Sequence, residues 1–565
     1  MVSSATEVKS TGKRIPGIAA KALPSTKVMR FLARFDAHDM AVVALIAGLV
    51  ILALWSFGDY AITNDEGVQH RYGELIIAYY ASGFSDQSVF SFQNLYLYGG
   101  LFDVIAVALS QLFSIDPFDL RHILCALIGI SGIGAAAATA RLIAGPRAGL
   151  IAALALSLCG AWYGTMFNHT KDIPFATAMI GATFFLIRFA RALPSPRIGD
   201  IAAFGLLAGA ALGIRVLGLL LVVYACFAIA LYLPRPWLGH TRWQFVISSS
   251  LRLLPALILA YLVMILSWPW AALAPLNPIR GLLAFSEFQY GIRTALAGRI
   301  YEMADVPRLY VPIYILIRLP LLTLFGAALA VLYALPRLVP GTKLLPGRDI
   351  ALVSLTVIFP LACQAIYHGP AFTGLRHFLF VVPALAVLAG IGLDAALAAL
   401  ARRGRMIASA GLAVATACLV WDGVTLVRLH PYENLYYNSL VGGLQGAARR
   451  YDLDYWFSSM PEALSQLESY LRRTAAVDAN WPAQVYSVAV CGERLPFEKS
   501  VTLPQLRFDF KAEWDQSEFF IAPTHMHCDN DLDGKVVGTV ERLGVPIAYI
   551  KDRRALTPSV ATAAR

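Results

Sequence analysis

Apolar stretches long enough to cross a membrane recur through the first 427 residues of the chain. They lie at 39–58, 121–141, 148–166, 174–193, 200–214, 216–233, 252–270, 309–335, 349–367, 377–400 and 406–427. Segment 97–113 is shorter and contains Asp103, so we expect it to form an interfacial or re-entrant amphipathic helix. The pattern predicts a polytopic α-helical membrane protein with about eleven transmembrane helices.

The composition changes near residue 428. Residues 428–565 contain 15 Lys and Arg against 17 Asp and Glu, a charged fraction typical of soluble domains. The first 427 residues contain 31 basic and 19 acidic residues, so the excess behind the net charge of +10 belongs to the apolar part. We expect a transmembrane domain over 39–427 and a soluble α/β domain over 428–565. With 58% hydrophobic and 15% charged residues, the chain is too apolar for an ordinary soluble enzyme or a nucleic-acid-binding protein.

The basic residues predict an orientation. Residues 1–38 are polar and basic, and they are longer than the n-region of a signal peptide, which indicates a cytoplasmic tail before an uncleaved first span. With eleven spans, the Lys and Arg clusters between the apolar stretches fall on the side of this tail. We therefore expect a cytoplasmic N-terminus, external loops at 59–120, 167–173 and 271–308, and an external C-terminal domain.

Candidate catalytic residues follow the first span. Asp65 and Glu66 come a few residues after it, close to the expected membrane surface, where a carboxylate can accept a proton from an incoming hydroxyl. The alternative is structural, with Asn64 or Asp65 as the N-cap of a helix and Glu66 in its first turn. Arg71 in the same loop is a candidate ligand for a phosphate.

A second polar group interrupts the apolar pattern at 167–173. His169, Lys171 and Asp172 stand between two spans with almost no room for a loop. Ionisable residues at such a position indicate function, with Asp172 as a second acid facing the same cavity as Asp65. The alternative is that Asp172 is the N-cap of the next helix, before Pro174, and that Lys171 extends its amine to the interface.

Arginines on the external side suggest a phosphate ligand. Loop 271–308 contains Arg280, Arg293, Arg299 and Arg308, and Arg293 and Arg299 are our candidates for binding phosphate bidentately. Arg376 and His377, at the outer end of another span, form a further small site of this kind. The alternative is that a long loop simply carries solvated charge, which its acidic residues partly offset.

The cysteines and histidines of the C-terminal domain allow two interpretations. Cys491 and Cys528 are its two cysteines, and an oxidising compartment would favour a disulfide between them. His525 and His527 precede Cys528, but their spacing does not match a structural zinc site, so a surface turn is the preferred interpretation. Isolated acids do not form an oxygen cage, and we predict neither a metal nor a cofactor.

Several motifs in this order are familiar. They are the Asp65–Glu66 pair after the first span, Asp172 before a proline, Arg141-Leu-Ile-Ala-Gly-Pro-Arg147, Arg318-Leu-Pro320, Gly374-Leu-Arg376-His377-Phe378 and HPYENLYYNSLVGG at 430–443. Together they resemble the polyprenyl-phosphate-dependent glycosyltransferases of the GT-C fold, in particular the bacterial family 39 enzymes related to protein O-mannosyltransferases and aminoarabinose transferases. The resemblance covers about 40–450. Asp452-Leu-Asp454-Tyr455-Trp456 departs from the Asn-x-Asp-Trp-Gly stretch of many members.

The resemblance implies a mechanism. A sugar would arrive on a polyprenyl phosphate, and Asp65 would act as general base on an acceptor hydroxyl that attacks the anomeric carbon with inversion. Glu66 and Asp172 would orient the acceptor or sugar, while Lys171, His169, Arg376, His377 and loop arginines would bind the leaving phosphate. The acceptor would be a lipid, a glycan or a protein. The expected location is the bacterial inner membrane, with the C-terminal domain in the periplasm.

Two other function classes fit parts of the pattern. A non-catalytic transporter or flippase of lipid-linked sugars would place ionisable residues near mid-membrane, and Arg215 and Arg318 fit that expectation. A membrane-anchored receptor would leave eleven spans unexplained. The concentration of ionisable residues at one face favours the transferase.

Overall fold

Most of the chain is helical, and its helices fit a multi-pass membrane protein. The computed structural model describes residues 36–233, 239–286, 291–334, 347–475 and 484–556, so the basic tail at 1–35 lies outside the described residues. Within these ranges, seven helices are long and apolar enough to cross a membrane. They are Ala37–Asp59, Pro117–Ala144, Asp172–Arg191, Thr241–Ser267, Gly347–Tyr367, Arg376–Arg403 and Arg405–Leu429. The count of eleven spans stays a prediction.

The remaining apolar stretches form shorter helices. These are Leu101–Ser110, Pro146–Ser157, Ile198–Leu212 and Val216–Leu231. The stretch predicted as one span at 148–166 ends its helix at Ser157 and continues in a single turn, Gly160–Tyr163. The chain after this turn packs closely against the C-terminal region, because a Cβ on Gly164 would lie 2.1 Å from the Asn434 nitrogen.

The apolar stretch predicted as a span at 309–335 is bent in the structure. The chain forms two helices there, Tyr310–Arg318 and Leu321–Ala334, with an angle of 115° between them. Leu319 adopts extended dihedrals at the break (φ −95°, ψ 149°), as expected for a residue before a proline. Pro320 also lacks the N–H that would continue the helix.

Two helices form the centre of the bundle. In both Asp172–Arg191 and Arg376–Arg403, 78% of the apolar window is buried, against 11% in Arg405–Leu429. Small residues allow this packing, since a Cβ on Gly390 would lie 2.4 Å from the Ala148 carbonyl oxygen. Both central helices begin at polar residues of the predicted external side, which brings those residues together.

The first long loop folds against the bundle. It contains helix Asn64–Ala81 and the short helix Leu101–Ser110, which lies within the segment 97–113 that we expected to form an interfacial or re-entrant helix. Asp103 is buried, and Arg121 donates to it from Nη2 at 2.8 Å. This buried ion pair ties the short helix to Pro117–Ala144 and explains an acid in an apolar stretch.

The C-terminal region after Leu429 contains the predicted α/β domain. After a hairpin of β1 Arg293–Leu296 and β2 Arg299–Glu302 in the third loop, the strands of this region are β3 Tyr486–Val490, β4 Leu506–Asp509, β5 Phe519–Pro523, β6 Lys535–Arg542 and β7 Val545–Asp552. Strands β3 to β7 form a mixed sheet in the order β4–β3–β5–β7–β6, with β3 parallel to β4 and β5 and with β7 antiparallel to β5 and β6. Helices Gly443–Ala447, Met460–Ala475 and Arg494–Ser500 also belong to the C-terminal region, whereas the short helices Pro269–Leu273 and Asn277–Ser286 precede the hairpin of the third loop.

The two cysteines of this domain are joined. A disulfide links Cys491, after β3, to Cys528 in the turn after β5, with 6.6 Å between their Cα atoms. Asp531 lies beside the sulfurs, and these three residues are the described group that could otherwise hold a metal ion. With both sulfurs in a disulfide, thiolate ligation is excluded.

Candidate functional site

Two arginines and two carboxylates meet where the predicted external loops converge. Arg376 donates from Nη2 to Asp65 and from Nε to Asp172 Oδ2 at 3.1 Å. Arg215 donates from Nη2 to the other oxygen of Asp172. We call Asp65, Asp172, Arg215 and Arg376 the charge cluster. One arginine therefore connects both predicted acids, and Asp172 is held by two cations.

The two carboxylates differ in access. The Asp65 side chain is 39% exposed, whereas that of Asp172 is 3% exposed. Burial raises the pKa of Asp65, but the charge and hydrogen bond of Arg376 outweigh it and hold that pKa below its ordinary value. Asp65 is thus an ionised carboxylate that a solute can reach, and Asp172 is a buried anchor for the arginines.

The hydrogen bonds and ion pair of Glu66 are with residues outside the charge cluster. The helix begins at Asn64 with Thr63 as its N-cap, which corrects the predicted caps Asn64 and Asp65. Glu66 Oε2 accepts from the Thr63 backbone N–H at 2.8 Å, completing a capping box, and Oε1 lies 3.1 Å from His122 Nε2. These contacts give Glu66 a structural role, and its predicted role toward substrate stays a prediction.

Lys171 and Asp172 do not have the purely structural roles that the sequence allowed, in which Asp172 caps a helix and Lys171 extends to the membrane interface. Helix Asp172–Arg191 begins at Asp172 with Lys171 as N-cap, so Asp172 is not the cap. Lys171 does not extend to the interface, because it is buried with Nζ 4.4 Å from the centre of the Tyr98 ring. Burial lowers the pKa of Lys171 to about 8. An amine with this pKa is mostly charged at neutral pH and can attract an anion.

The C-terminal region supplies aromatic groups to the cluster. His169 Nδ1 lies 3.1 Å from Asn168 Oδ1, and its Nε2 is hydrogen-bonded to the Tyr455 hydroxyl. Burial lowers the pKa of His169 to about 3, so this ring is neutral and donates to Asn168 while accepting from Tyr455. The Trp456 ring centre lies 4.1 Å from that of His169 and 4.1 Å from Arg376 Cζ.

The other arginines predicted to bind phosphate, Arg71, Arg293 and Arg299, lie in different surroundings. His377, in contrast, interacts electrostatically with all four residues of the charge cluster, and it packs on Phe372 with 4.4 Å between ring centres. Arg71 is exposed and pairs with Glu74 at 2.7 Å on its own helix. Arg293 and Arg299 are exposed on β1 and β2, and neither has a hydrogen bond or ion pair to the charge cluster within the part of the chain that the structure describes. Of the arginines predicted to bind phosphate, Arg376 is the one that contacts Asp65 and Asp172.

Sequence reasoning missed Arg215, Tyr98, Tyr455 and Trp456. Arg215 had a usable signal, because a charged residue inside an apolar stretch indicates function, yet it favoured a transporter. Arg318, the other such residue, donates to the Asn434 carbonyl oxygen and lies 4.7 Å from the Tyr437 ring centre. Both arginines therefore contact residues of the site or of the C-terminal region.

An apolar cavity of about 330 Å³ lies next to the turn that carries Arg215. Leu212 and Gly218, which flank Arg215 in the chain, contribute to its wall. Met264 and Ile279 are among the apolar side chains that form other parts of the wall. The turn that carries Arg215 therefore contributes both to the charge cluster and to the wall of the apolar cavity.

Comparisons with known proteins agree with the motifs. Residues 102–270 match the family model described as dolichyl-phosphate-mannose-protein mannosyltransferase. ArnT from Cupriavidus metallidurans bound to undecaprenyl phosphate is similar at 16% identity and TM-score 0.45, over 90% of this chain and 97% of that chain. The apo oligosaccharyltransferase of Archaeoglobus fulgidus is similar at 13% identity and TM-score 0.41, over 80% of this chain and 62% of that chain.

A third solved structure is arabinofuranosyltransferase AftD from mycobacteria, at 15% identity and TM-score 0.40, over 90% of this chain and 40% of that chain. No curated protein sequence matches this chain. The predicted resemblance is confirmed where the family model applies: residues 102–270 are similar to the dolichyl-phosphate-mannose-protein mannosyltransferase family.

Proposed function

We propose that this protein is a membrane glycosyltransferase that moves a sugar from a polyprenyl-phosphate carrier to an acceptor hydroxyl. The observation that supports it most is the contact of an ionised, accessible carboxylate, Asp65, with Arg376, which Asp172 also holds. Such a site pairs a proton acceptor with a cation for phosphate. The family similarity of residues 102–270 supports the same activity.

In this mechanism Asp65 removes the proton of the acceptor hydroxyl. The acceptor oxygen attacks the anomeric carbon from the side opposite to the phosphate, so that the new glycosidic bond forms with inversion as the bond to the phosphate oxygen breaks. The phosphate leaves as an anion and needs no protein acid, because Arg376, Arg215 and Lys171 stabilise its growing charge.

Binding of the donor would also activate the base. Without substrate, Arg376 donates to Asp65 and lowers its pKa, which weakens the carboxylate as a base. A carrier phosphate would compete for the same guanidinium. As Arg376 turns toward the phosphate, Asp65 loses part of this stabilisation and becomes a stronger base when a donor is present.

The apolar cavity fits the other end of the donor. Its wall is almost entirely apolar, as a polyprenyl chain requires, and it reaches the turn that carries Arg215. A carrier lying there would present its phosphate to the charge cluster. We further propose that the site faces the periplasm of a bacterial inner membrane, as the orientation of the basic clusters predicts.

The test supplies radiolabelled polyprenyl-phosphate sugars to membranes that contain this protein. Wild-type protein should transfer label to an acceptor, whereas Asp65→Asn should bind the carrier and form no product. Asp305→Asn makes the same change at an exposed loop position and should retain activity. Near-normal turnover by Asp65→Asn would overturn the assignment of the base, and movement of intact donor across the membrane without bond formation would favour the transporter.

A further inference from the structure

The segment Asp452–Trp456 of the C-terminal region holds the Arg376 turn from two sides. At one side, buried Asp452 Oδ2 accepts from the Gly374 backbone N–H at 3.0 Å. The same carboxylate accepts from Thr294 Oγ1 at 2.6 Å and from the Tyr310 hydroxyl at 3.0 Å. Asp452 thus fixes the backbone two residues before Arg376 to the third loop.

At the other side, Trp456 covers the guanidinium. Arg376 Cζ lies 4.1 Å from the Trp456 ring centre, and the ring is 7% exposed. A cation over an aromatic face keeps its N–H groups free along its edge. Here those N–H groups are the ones that reach Asp65 and Asp172.

Glycine at position 374 allows this arrangement. Its φ of +67° lies in the left-handed region, which residues with a Cβ rarely adopt, and a Cβ there would lie 3.2 Å from the Tyr314 ring. The turn from Gly374 to Arg376 therefore has a defined path, with Asp452 at its start and Trp456 over its end.

We infer that Trp456 is a positioning residue for Arg376, through which the C-terminal region controls the general base. The inference rests on the proposed function, since it assigns Trp456 a part in the same site. Without the indole ring, the guanidinium loses the surface that orients it toward Asp65. The pKa of Asp65 then moves back toward its ordinary value, and the carrier phosphate meets a misplaced cation.

The first experiment compares Trp456→Leu with wild type over a pH series of sugar transfer. We expect kcat to fall roughly 10-fold to 100-fold, the range for a misplaced catalytic group. The acid limb of kcat/KM should move to higher pH, because Asp65 must be ionised to act. Trp456→Phe keeps an aromatic face and should restore most of kcat. Trp421→Leu, at a 74% exposed position, is the matched control and should leave transfer unchanged.

The second experiment needs no activity. Thermal unfolding in detergent is measured for Trp456→Leu, Arg376→Gln and the double variant, and we expect the two losses of Tm to be non-additive, because the residues are in contact. Additive losses together with an unshifted acid limb would overturn the inference. Non-additive losses in a protein that transfers no sugar would support the contact and overturn the proposed function instead.

Discussion

Arg376 donates a hydrogen bond to Asp65, although the two residues lie 311 positions apart in the chain. The contact lowers the pKa of an accessible carboxylate. In the proposed mechanism Asp65 is the base and Arg376 is a phosphate ligand, so the two roles are coupled and a change to one residue should be measurable through the other.

Arg376→Gln should reduce kcat/KM for the donor by roughly 100-fold, because a preorganised cation at the leaving phosphate is lost. It should also raise the pKa of Asp65, since Arg376 is what holds that pKa below its ordinary value. The ionised form would then appear at higher pH, and the acid limb of the profile would shift upward. Arg494→Gln, at an exposed ion pair with Glu498, is the control. An unshifted limb would disprove the coupling.

Loss of the Lys171 proton should weaken donor binding at high pH, which would appear as a basic limb in the pH profile of the donor KM. With a pKa of about 8, its ammonium is charged below that pH and neutral above it. We expect the KM for the donor to rise as the pH passes through this value. Lys171→Arg keeps its charge there and should remove the limb, while Lys171→Met should have a high KM at every pH. If Lys171→Arg showed the same rise of KM at high pH, that rise would be due to the titration of another group.

Substitutions of Glu66 test whether this residue only caps its helix or also takes part in catalysis. Glu66→Ala removes the acceptor of the Thr63 N–H and the partner of His122, and should reduce the free energy of unfolding by about 1–3 kcal/mol. Glu66→Gln keeps an oxygen for the cap and should retain turnover within a few-fold. Thermal unfolding and transfer assays measure both. A loss with Glu66→Gln as large as with Asp65→Asn would make Glu66 catalytic.

Reduction of Cys491–Cys528 should destabilise the C-terminal domain. The bond joins residues 37 positions apart, for which loop-closure entropy predicts about 3–4 kcal/mol. Dithiothreitol should therefore lower the Tm of wild-type protein. The double variant Cys491→Ser/Cys528→Ser should have that lower Tm without reductant and should not respond to it. A response in the double variant would identify another cause.

Local features of the sequence determined the membrane character of the chain, the α/β domain near its end and the two acids, Asp65 and Asp172. Hydropathy and charge are properties of short segments, so a single sequence is enough to find them. The kink before Pro320 also had a local signal, which the length of the apolar stretch obscured.

Only the tertiary structure decided which charged groups meet. It selected Arg376 and Arg215 rather than Arg71, Arg293 or Arg299, and it turned Glu66 toward its own helix end while bringing Trp456 to the cluster. No local pattern encodes these choices, because each depends on how helices and a distant domain pack around the same point. The physical reason is that ion pairs and ring contacts act over a few ångströms, whereas the residues that form them are separated by tens to hundreds of positions.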